Sequence, residues 1–422
     1  MKIMVVGGGG REHAIIKKLK ENKSVEKIYA LPGNGGISID AECVPIEATE
    51  ISKIVSFAIE NKIDYGVIAP DNPLALGCVD ELQKVNIPCF GPTKNAAIIE
   101  SSKVFSKNLM KKYDIPTAKY ETFSKLSDAI KYLETASIPV VIKADGLAYG
   151  KGVIIANTRD EAINAVTDMM VNGKFGESGS NIVVEEYLEG PEVSVLSFTD
   201  GKKVVPMISS MDHKRIGNDD TGLNTGGMGA IAPNPYYTEN VADECMKKIF
   251  LPTINAMNSE GRTFKGCLYF GLMLTKNGPK VIEYNCRFGD PETQVVLPLL
   301  DSDLLTVMQA VTNGNLSETE VKFKNKSACC VVLASKGYPE KYENGYKINI
   351  PKNIMDKTYI AGAKKEKDDL LSWGGRVLGV TAVEDTLDKA INKSYEYVKS
   401  IEFKNAYYRN DIGKKALEIK EK

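Results

Sequence analysis

The stretch from Lys280 to Gln294 constrains the fold most, because an alternating strand pattern coincides there with a row of polar side chains. Period-two alternation places successive residues on opposite faces of a strand. One face carries Ile282, Tyr284, Cys286 and Phe288, and the other carries Val281, Glu283, Asn285 and Arg287. The chain therefore needs a sheet with one apolar side to bury and one polar side that faces a ligand or solvent.

The polar face of this strand has the chemistry of a metal–phosphate site. Carboxylate and amide oxygens, as in Glu283 and Asn285, are ligands that Mg²⁺ or Mn²⁺ prefers, usually with phosphate oxygens completing the shell. Arg287 adds a planar donor fork for a carboxylate or a phosphate. The turn that follows adds the carboxylates of Asp290 and Glu292. The alternative interpretation is an edge strand with a solvated polar face.

Length and composition exclude several classes of protein. A chain of 422 residues is long enough for about two to four domains, and its 26% charged residues are typical of a soluble globular protein. The net charge of −1 gives no reason to expect nucleic acid or an acidic membrane as a partner, and no window approaches the apolar length of a membrane span. The eight cysteines include no Cys-x-x-Cys pair, which favours reduced thiols in the cytoplasm. With only two histidines, His13 and His213, a multi-histidine metal site or a Ser-His-Asp triad is nearly excluded.

The N-terminus reads as a strand at residues 2–6, a run of glycines at 7–10, and an amphipathic helix that continues to about Asn22. Free backbone N–H groups at such a helix start can hold an anion. A dinucleotide-binding fold fits poorly, because Glu12 or His13 falls at the third glycine position and the second strand ends without an acid for a ribose. A phosphate site and a tight turn that needs glycine remain equally good interpretations.

The next hundred residues alternate between strands and helices. Strands are predicted at 65–69 and 88–91 and helices near 50–61 and 74–85, which gives an open, mostly parallel α/β domain ending near residue 100. A helix then runs from about Lys94 or Ser101 to Tyr113, with Lys103 near its middle. Taken alone, this lysine is better explained as a solvated charge than as a ligand.

Residues 138–156 form two predicted strands around a glycine-rich loop. Its glycines are Gly146, Gly150 and Gly152. The loop is not a Walker A motif, because no Ser or Thr follows Lys151 and a strand follows in place of a helix. We interpret it as a hairpin whose backbone N–H groups fold over phosphates. Lys143 lies in an otherwise apolar strand, where an unpaired charge is costly, so an anionic ligand would explain it; the alternative is a lysine that reaches solvent at a sheet edge.

A second pair of strands, at residues 182–197, flanks a polar turn that contains Glu185, Glu186 and Glu192. The shape suits a segment that offers backbone groups to the edge of a base and a carboxylate to a ribose. Many acidic turns have the same appearance, so this pattern predicts little by itself.

Residues 209–230 form a long, polar, glycine-rich segment with neither helix nor strand periodicity. Loops of this length inside a compact domain are usually functional or disordered. The mixture of Asp, His, Lys, Arg and Thr is not that of a repetitive tract. His213 lies between Asp212 and Lys214, and both a catalytic role and a structural hydrogen bond remain open for it.

A helix near 239–260 and a hairpin at 268–287 follow, and a new pattern begins at about Ser327. Strands at 329–334 and near 359–361, with a helix near 386–400, predict a small α+β domain at the C-terminus. Arg376, Arg409 and Asp411 are its polar candidates, and surface charge is the expected role for each.

The chain carries a series of short motifs in order. They are Gly-Gly-Arg-Glu-His-Ala at 9–14, Phe-Gly-Pro-Thr at 90–93, Ile-Lys-Ala-Asp-Gly-Leu-Ala at 142–148, Gly-Lys-Gly-Val at 150–153, Asp-His-Lys-Arg at 212–215, Asn-Thr-Gly-Gly-Met-Gly-Ala at 224–230, Glu-Tyr-Asn-Cys-Arg-Phe-Gly-Asp-Pro-Glu-Thr-Gln at 283–294, Gly-Gly-Arg-Val-Leu at 374–378 and Tyr-Arg-Asn-Asp-Ile-Gly at 408–413. Together they resemble the ATP-grasp superfamily and, within it, the glycinamide ribonucleotide synthetases, or phosphoribosylamine–glycine ligases. Tyr149 departs from the pattern, because a small residue is expected there.

The resemblance implies an α/β and α+β multidomain protein. Its parts would be an open parallel N-terminal α/β domain at 1–100, an ATP-grasp domain at 101–325 with a mobile nucleotide-covering subdomain at about 118–190, and a small α+β C-terminal domain at 326–422. ATP would convert glycine to glycyl phosphate, and 5-phosphoribosylamine would then displace phosphate, giving glycinamide ribonucleotide and ADP in purine biosynthesis. Such phosphoryl transfer needs positioning and charge neutralisation more than covalent help. The implied partners are these small molecules and Mg²⁺ or Mn²⁺, without nucleic acid or membrane, and we expect a cytoplasmic monomer.

The same resemblance implies roles for individual residues. The ATP-binding residues would be Lys103, Lys143, Gly146, Gly150, Lys151, Gly152, Glu185, Glu186, Tyr187, Leu188 and Glu192, with adenine at 185–188 and the ribose at Glu192. The metal ligands would be Glu283 and Asn285. The residues around glycine and 5-phosphoribosylamine would be Gly9, Gly10, Arg11, Glu12, Asp212, His213, Lys214, Arg215, Asn224, Thr225, Gly226, Gly227, Arg287, Asp290 and Glu292. The catalytic residues would be Arg287, Lys143 and Asp212.

Three rival functions remain. Another ATP-grasp carboxylate–amine ligase of nucleotide metabolism would differ only in its acid or amine, and the segment at 212–230 argues against it. A dinucleotide oxidoreductase would use the N-terminal glycines but lacks the acid after the second strand. A nucleotide-binding protein without turnover would not need the lysine, the metal-ligand pair and the arginine together.

Overall fold

The computed structural model describes residues 1–147, 152–172 and 176–421, except for the side chains at 177, 420 and 421. Three residues discussed above, Tyr149, Gly150 and Lys151, lie outside the described residues. The remaining sequence-predicted site residues are all described, so their positions can be compared with the predictions.

The N-terminal part is an open parallel sheet with helices on both faces. Its elements are β1 (Lys2–Gly7), α1 (Gly10–Leu19), β2 (Lys27–Pro32), β3 (Glu42–Cys43), α2 (Ile51–Glu60), β4 (Tyr65–Ile68), α3 (Asp71–Leu76), α4 (Cys78–Lys84), β5 (Cys89–Phe90), α5 (Lys94–Ser101) and α6 (Lys103–Lys112). The strand order is β3-β2-β1-β4-β5, and every pair is parallel. Alternate residues of β1 enter two different cores, since Met4 and Val6 pack on one side and Ile3 and Val5 on the other. The predicted parallel α/β fold is confirmed.

Two predicted helices are each divided in the structure. Gly77 has a φ of 90° and separates α3 from α4, which only glycine tolerates readily. Ser102 has extended backbone and caps α6, because its side-chain oxygen accepts a hydrogen bond from the N–H of Phe105. The prediction that Lys103 lies in the middle of a helix is therefore wrong: Lys103 is the first residue of α6.

A small antiparallel lobe follows. It consists of β6 (Tyr120–Phe123), α7 (Leu126–Leu133), β7 (Val140–Ala144), β8 (Val153–Ala156), α8 (Arg159–Met170) and β9 (Ile182–Glu186). The strand order is β6-β9-β7-β8, and α7 and α8 share one apolar core with the sheet. The two strands predicted around the glycine loop are β7 and β8, which pair as a hairpin.

The central sheet carries the strand from which the sequence analysis began. The elements here are β10 (Glu192–Thr199), β11 (Val204–Pro206), β12 (Met211–Asp212), β13 (Arg215–Gly217), β14 (Thr221–Asn224), β15 (Gly229–Ala232), α9 (Glu239–Cys245), a π-helical turn (Met246–Phe250), α10 (Leu251–Ser259), β16 (Gly266–Thr275), β17 (Gly278–Asn285), α11 (Thr293–Val296) and α12 (Leu304–Asn313). The central sheet has the order β11-β10-β16-β17 and is antiparallel.

The C-terminal sheet recruits strands from the polar segment at 209–230. Its further elements are β18 (Ser327–Ser335), β19 (Thr358–Ile360), β20 (Ala363–Glu366), β21 (Asp369–Ser372), β22 (Arg376–Glu384), α13 (Leu387–Val398), β23 (Ala406–Tyr407) and α14 (Lys414–Leu417). The order is β12-β15-β18-β22-β19, and β23 also pairs with β18. The prediction of no strand in this segment is wrong, because such short glycine-rich strands show no periodicity and their pairing depends on the distant β18.

Short 3₁₀ helices complete the fold, at Ile37–Ile39, Gly176–Gly179, Asn218–Asp220, Leu297–Leu299, Leu316–Glu318, Lys352–Lys357 and Glu418–Glu421. In the described part of the chain, no helix combines the length and the apolar composition that crossing a bilayer requires.

Candidate active site

A β-bulge in β17 shapes the centre of the site. Glu283 pairs with Gly271 but Val281 pairs with the next residue, Leu272, so Ile282 is the extra residue of the bulge. Lys143 uses the carbonyl oxygen of Ile282, to which its Nζ donates at 2.9 Å. The bulge also resets the alternation, and Val281 is buried in the core and not on the face of Glu283. The predicted position of Val281 is wrong for this reason.

Lys143 also contacts a buried carboxylate, which lies between this lysine and a second buried lysine. Glu185 contacts Lys143 at 3.0 Å through Oε1 and Lys107 at 3.0 Å through Oε2. Lys107 also donates to the hydroxyl of Thr117 at 2.8 Å. Burial lowers the pKa of Lys107 to about 8. Sequence reasoning missed Lys107, and it assigned Glu185 to adenine, whereas the side chain holds the two lysines.

The start of the glycine loop is fixed to the start of α6. Asp145 accepts hydrogen bonds from the N–H of Val104 at 2.8 Å and from the hydroxyl of Ser102 at 3.0 Å. The Nζ of Lys103 donates to the carbonyl of Gly146 at 3.0 Å, and burial lowers the pKa of this lysine. Lys103, the first residue of α6, is thereby held beside the start of the loop that was predicted to cover phosphates.

Positive charges converge on Glu283. Burial raises the pKa of Glu283, but nearby cations outweigh burial and hold this pKa below its usual range. In order of effect these cations are Lys214, Lys143, Lys103 and Arg287. The residues predicted to hold phosphates and metal therefore lie around one carboxylate.

Glu283 and Asn285 fit a divalent cation that shares its shell with phosphate. Among the described residues, no group of three or more His, Cys, Asp or Glu side chains is arranged as a complete metal cage. Mg²⁺ commonly takes only one or two protein ligands and fills its shell with phosphate oxygens and water. The oxygen of Asn285 also accepts from Arg287 at 3.1 Å, so the amide is oriented with its oxygen toward the cationic group.

Arg287 is anchored by a carboxylate that the sequence analysis did not single out. Glu100, near the end of α5, contacts Nη2 of Arg287 at 3.1 Å and accepts the N–H of Cys286 at 2.7 Å. Burial raises the pKa of Glu100, although the charge of Arg287 opposes this. A glutamate that follows four apolar residues in a helix was the only available signal.

A second cluster of charges lies beside the first. Tyr269 donates to Glu292 at 3.1 Å, and burial raises the pKa of Glu292. Burial and the charge of Glu292 raise the pKa of Asp212 well above its usual value, and its Oδ1 is buried without a hydrogen-bond partner in the part of the chain described. Lys214 pairs at 2.8 Å with Glu192, the residue predicted to bind the ribose.

Arg376 joins the C-terminal sheet to this cluster. Its Nη1 donates to the carbonyl of Gly226 at 2.6 Å and to that of Asp290 at 2.8 Å, and its Nη2 lies 3.3 Å from the Asp290 carboxylate. Gln294 also donates to Asp290, at 2.7 Å. The expectation of a surface charge is wrong for Arg376, which binds two loops that were both predicted to contact substrate.

The N-terminal glycine turn already holds a carboxylate. Glu12 accepts the N–H of Gly9 at 2.6 Å, which is the glutamate half of a capping box, and it also contacts Nε of Arg11 at 2.7 Å. Arg11 also donates to the carbonyl of Phe288 at 3.1 Å. A Cβ on Gly8 would lie 2.4 Å from the carbonyl oxygen of Gly33. The glycines thus satisfy close packing in the turn, and the turn lies beside the strand-end loop that begins at Phe288.

The side chains of residues 213–225 mostly shape their own segment. His213 accepts the N–H of Gly413 at Nε2 and faces the carbonyl of Gly229 with Nδ1, so both ring nitrogens are used. Thr225 donates to the carbonyl of Lys214, and Arg215 donates to that of Gly222. Asn224 pairs with Arg215 in the β13–β14 hairpin. In the adenine segment, Tyr187 is exposed and Leu188 is half-buried, while Glu186 contacts Lys280 at 3.0 Å.

The fold and this charge arrangement define an ATP-grasp enzyme. The biotin carboxylase domain of 2-oxoglutarate carboxylase from Hydrogenobacter thermophilus, solved in complex with MgADP, matches with a TM-score of 0.74 and 14% identity, covering 96% of this chain and 91% of that chain. At this identity the likeness shows the fold alone. Enzymes of the ATP-grasp class use ATP and a divalent metal.

Comparison with protein families narrows the class. The models for phosphoribosylglycinamide synthetase match at residues 1–100 for the N domain, 101–293 for the ATP-grasp (A) domain and 328–415 for the C domain. Phosphoribosylamine–glycine ligase from Fusobacterium nucleatum is 46% identical over 425 residues, covering 100% of both chains. The crystal structure of phosphoribosylamine–glycine ligase from Thermotoga maritima matches with a TM-score of 0.85 and 31% identity, covering 98% of this chain and 100% of that chain. The chain belongs to the phosphoribosylglycinamide synthetase family of ATP-dependent ligases, which act in purine biosynthesis.

Proposed function

We propose that this chain joins glycine to 5-phosphoribosylamine with ATP, giving glycinamide ribonucleotide, ADP and phosphate. The observation that carries the proposal is the convergence of Lys103, Lys143 and Lys214 on Glu283, near the end of a strand whose last residue is Asn285 and which leads directly to Arg287. Lys143 and Lys214 also contact Glu185 and Glu192, but Lys103 donates to a carbonyl oxygen, so its positive charge adds to that around Glu283 and favours a further anion there. The phosphates of ATP, bound with a divalent metal, would supply that negative charge.

The reaction has two steps. A carboxylate oxygen of glycine attacks the terminal phosphorus of ATP, and the bond to ADP breaks, which leaves glycyl phosphate. The nitrogen of 5-phosphoribosylamine then attacks the carbonyl carbon, the carbon–oxygen bond to phosphate breaks, and the nitrogen loses a proton. Lys103 and Lys143 hold the phosphates during the first step, and Arg287 neutralises and orients the acyl phosphate during the second.

Glu283 and Asn285 would hold Mg²⁺ or Mn²⁺, which when bound neutralises charge on the phosphates. The adenine would lie along residues 185–188 and the ribose near Glu192, with the loop at 145–152 above the phosphates. In this proposal Glu192 exchanges its contact with Lys214 for the nucleotide. Glu185 contributes backbone groups to the base, because its side chain is committed to the two lysines.

The second cluster is where we place the other two substrates. Asp212 and Glu292 suit the ammonium group of glycine, because both are acids in a buried setting, and Asp212 has an oxygen without a partner among the described residues. Lys214, Arg215 and the backbone of residues 224–227 would surround the acyl group. The turn at residues 9–12 and Asp290 would contact 5-phosphoribosylamine, and Arg11 can shift from Glu12 to an incoming anion.

Several further properties are part of the proposal. We assign domains at 1–100, 101–325 and 326–422, with a mobile subdomain at about 118–190. We expect a monomer. We also expect a cytoplasmic location, which is supported by eight cysteines that are all free thiols.

The test is ADP release by the purified protein with Mg-ATP and glycine, with and without 5-phosphoribosylamine formed in the assay from ribose 5-phosphate and ammonia. We expect turnover only when both substrates are present, with one glycinamide ribonucleotide formed per ADP. Turnover with a different acid or amine would replace the proposed substrates and keep the ligase class. ATP binding without turnover on any pair would contradict the proposal.

A further inference from the structure

A segment near the C-terminus contacts the loop that the proposed function assigns to substrate. We define the substrate loop as residues 212–227 and the C-terminal clamp as residues 407–415. Two side chains of the clamp donate to backbone carbonyls of the loop: Tyr407 to Ile216 at 2.8 Å and Arg409 to Arg215 at 3.0 Å. Two backbone N–H groups of the clamp donate to loop side chains: Asn410 to Asn218 and Gly413 to His213, both at 3.0 Å. Asp411 accepts the N–H of Asp219 at 2.8 Å, and Lys415 contacts Asp220. These contacts reach the first arm of the loop, at residues 213–216, and its tip, at residues 218–220.

Arg409 is the centre of the clamp. Only 1% of its surface is exposed, so the sequence-based expectation of a surface charge is wrong. Its guanidinium makes a two-point contact with Asp411, at 2.8 and 2.7 Å, and a further contact with Asp220 at 3.0 Å. A buried guanidinium with two carboxylates is costly to break, because removing one partner leaves the others uncompensated.

The loop tip needs such support. Asp219 and Asp220 adopt φ values of 55° and 56°, in the left-handed region that is uncommon for residues other than glycine, although aspartate and asparagine enter it more readily than most. Both are held by the clamp, Asp219 through its N–H and Asp220 through its side chain. The conformation of the tip is therefore a product of contacts with residues about 190 positions later in the chain.

The contacts of the clamp extend to the part of the loop that carries site residues. His213, which accepts from Gly413, lies between Asp212 and Lys214, the two loop residues whose charges reach the site. The lysines on the ATP side, Lys103 and Lys143, belong to α6 and β7. Within the described residues, neither makes a hydrogen bond or an ion pair with the clamp. The two halves of the site are thus held by separate parts of the chain.

We propose that the C-terminal clamp, centred on Arg409, positions the substrate loop and so sets the affinity for glycine and the retention of glycyl phosphate, without setting the affinity for ATP. The proposal rests on the proposed function. With a loosened loop, water reaches glycyl phosphate: its oxygen attacks the carbonyl carbon, the carbon–oxygen bond to phosphate breaks, and glycine and phosphate are released. ADP would then form without an equal amount of product.

The test compares Arg409→Met and Tyr407→Phe with Lys414→Ala, a control at an exposed lysine within the same segment. For Arg409→Met we expect the KM for glycine to rise about tenfold, the KM for ATP to stay within about twofold, and more than one ADP to form per product. Tyr407→Phe removes one hydrogen bond at a half-buried position and should give a smaller change with the same pattern. A merely structural role would lower the amount of folded enzyme or its Tm, with KM values and the ADP-to-product ratio unchanged, and that result would overturn the proposal.

A second measurement separates this proposal from the proposed function. Hydrogen exchange of the ATP-bound protein reports on the loop whether or not the protein turns over glycine. We expect Arg409→Met to speed exchange in residues 213–224 and to leave residues 140–144 and 278–285 unchanged. Unchanged exchange in 213–224 would overturn the clamp, whereas a wild-type protein inactive on glycine would overturn the proposed function alone.

Discussion

The two halves of the site are built differently. On the ATP side, Lys103 of α6 and Lys143 of β7 are fixed by contacts with Gly146 and Glu185, which lie 43 and 42 positions away along the chain. On the substrate side, the loop at 212–227 is fixed by residues as far as 200 positions away. The ATP side therefore depends on contacts between α6 and the antiparallel lobe, including the buried ion pairs of Glu185, whereas the substrate side depends on contacts between the central and C-terminal parts of the chain. Substitutions should consequently affect ATP and glycine separately.

The largest effect is expected at the residue the two halves share. Glu283→Ala should reduce kcat about a thousandfold, because several kcal/mol of charge stabilisation around the phosphates is lost. Turnover at varied Mg²⁺ and Mn²⁺ would measure the loss, with Glu189→Ala at an exposed position as the control. Circular dichroism should show an unchanged fold. Near-normal turnover would show that Glu283 is not a metal ligand, and the two halves of the site would then share no residue at this position.

A variant at Lys107, which shares the carboxylate of Glu185 with Lys143, tests the ATP side separately. Lys107→Met leaves Glu185 with one lysine in place of two, so it should cost about 3 kcal/mol of stability. It should also raise the KM for ATP about tenfold while leaving the KM for glycine unchanged. Steady-state kinetics against each substrate would measure this, with the exposed Lys111→Met as the matched control. An equal rise for glycine would contradict the separation of the two halves.

Arg287 lies between the two halves of the site, and its contact with Glu100 can be weakened by a substitution that keeps the shape of the side chain. Glu100→Gln keeps an oxygen for the N–H of Cys286 but removes the negative charge beside the guanidinium. We expect kcat to fall about tenfold with both KM values within about twofold, because the charge acts on the reacting acyl phosphate. Glu81→Gln, at another glutamate of the N-terminal part, is the control. If one KM moves and kcat does not, Arg287 belongs to that half alone.

The same contrast explains what the sequence could predict. Glu283, Asn285 and Lys143 were identified because each stands out within its own strand, as a polar residue at regular spacing or as a lysine among apolar neighbours. The bulge at Ile282 could not be predicted, because it is defined by the register with β16. Lys103 was placed inside a helix because the break at Ser102 depends on Asp145, a residue far along the chain.

The substrate side was less accessible from sequence. Arg409 and Arg376 were interpreted as surface charges because most of their partners lie 86 to 194 positions away, and the nearby Asp411 does not by itself indicate that Arg409 is buried. The segment at 209–230 was interpreted as a loop from its composition, but it contains short strands, one of which, β15, pairs with the distant β18. Local pattern thus predicts residues that act within one element and misses residues that join separate ones.

A further expected effect is a pH dependence confined to the substrate side. Burial, with the charge of Arg409, lowers the pKa of His213 from 6.5 to about 4 in the folded protein. Between these values the unfolded chain binds the proton and the folded chain does not, so stability is complete above about pH 6.5 and falls as the pH decreases toward 4. A shift of this size corresponds to at most about 3 kcal/mol.

His213→Gln cannot bind this proton, so the wild type should lose stability relative to this variant as the pH falls from 7 to 4.5, and the KM for glycine of the wild type should rise over the same range. Urea unfolding of both proteins at several pH values measures the difference, and the titration of His13 cancels because both proteins retain it. ATP binding should change equally in the two proteins. A difference in stability that does not vary with pH would mean that the imidazole is not held neutral by its burial, and that the contact with Gly413 does not depend on an unprotonated nitrogen.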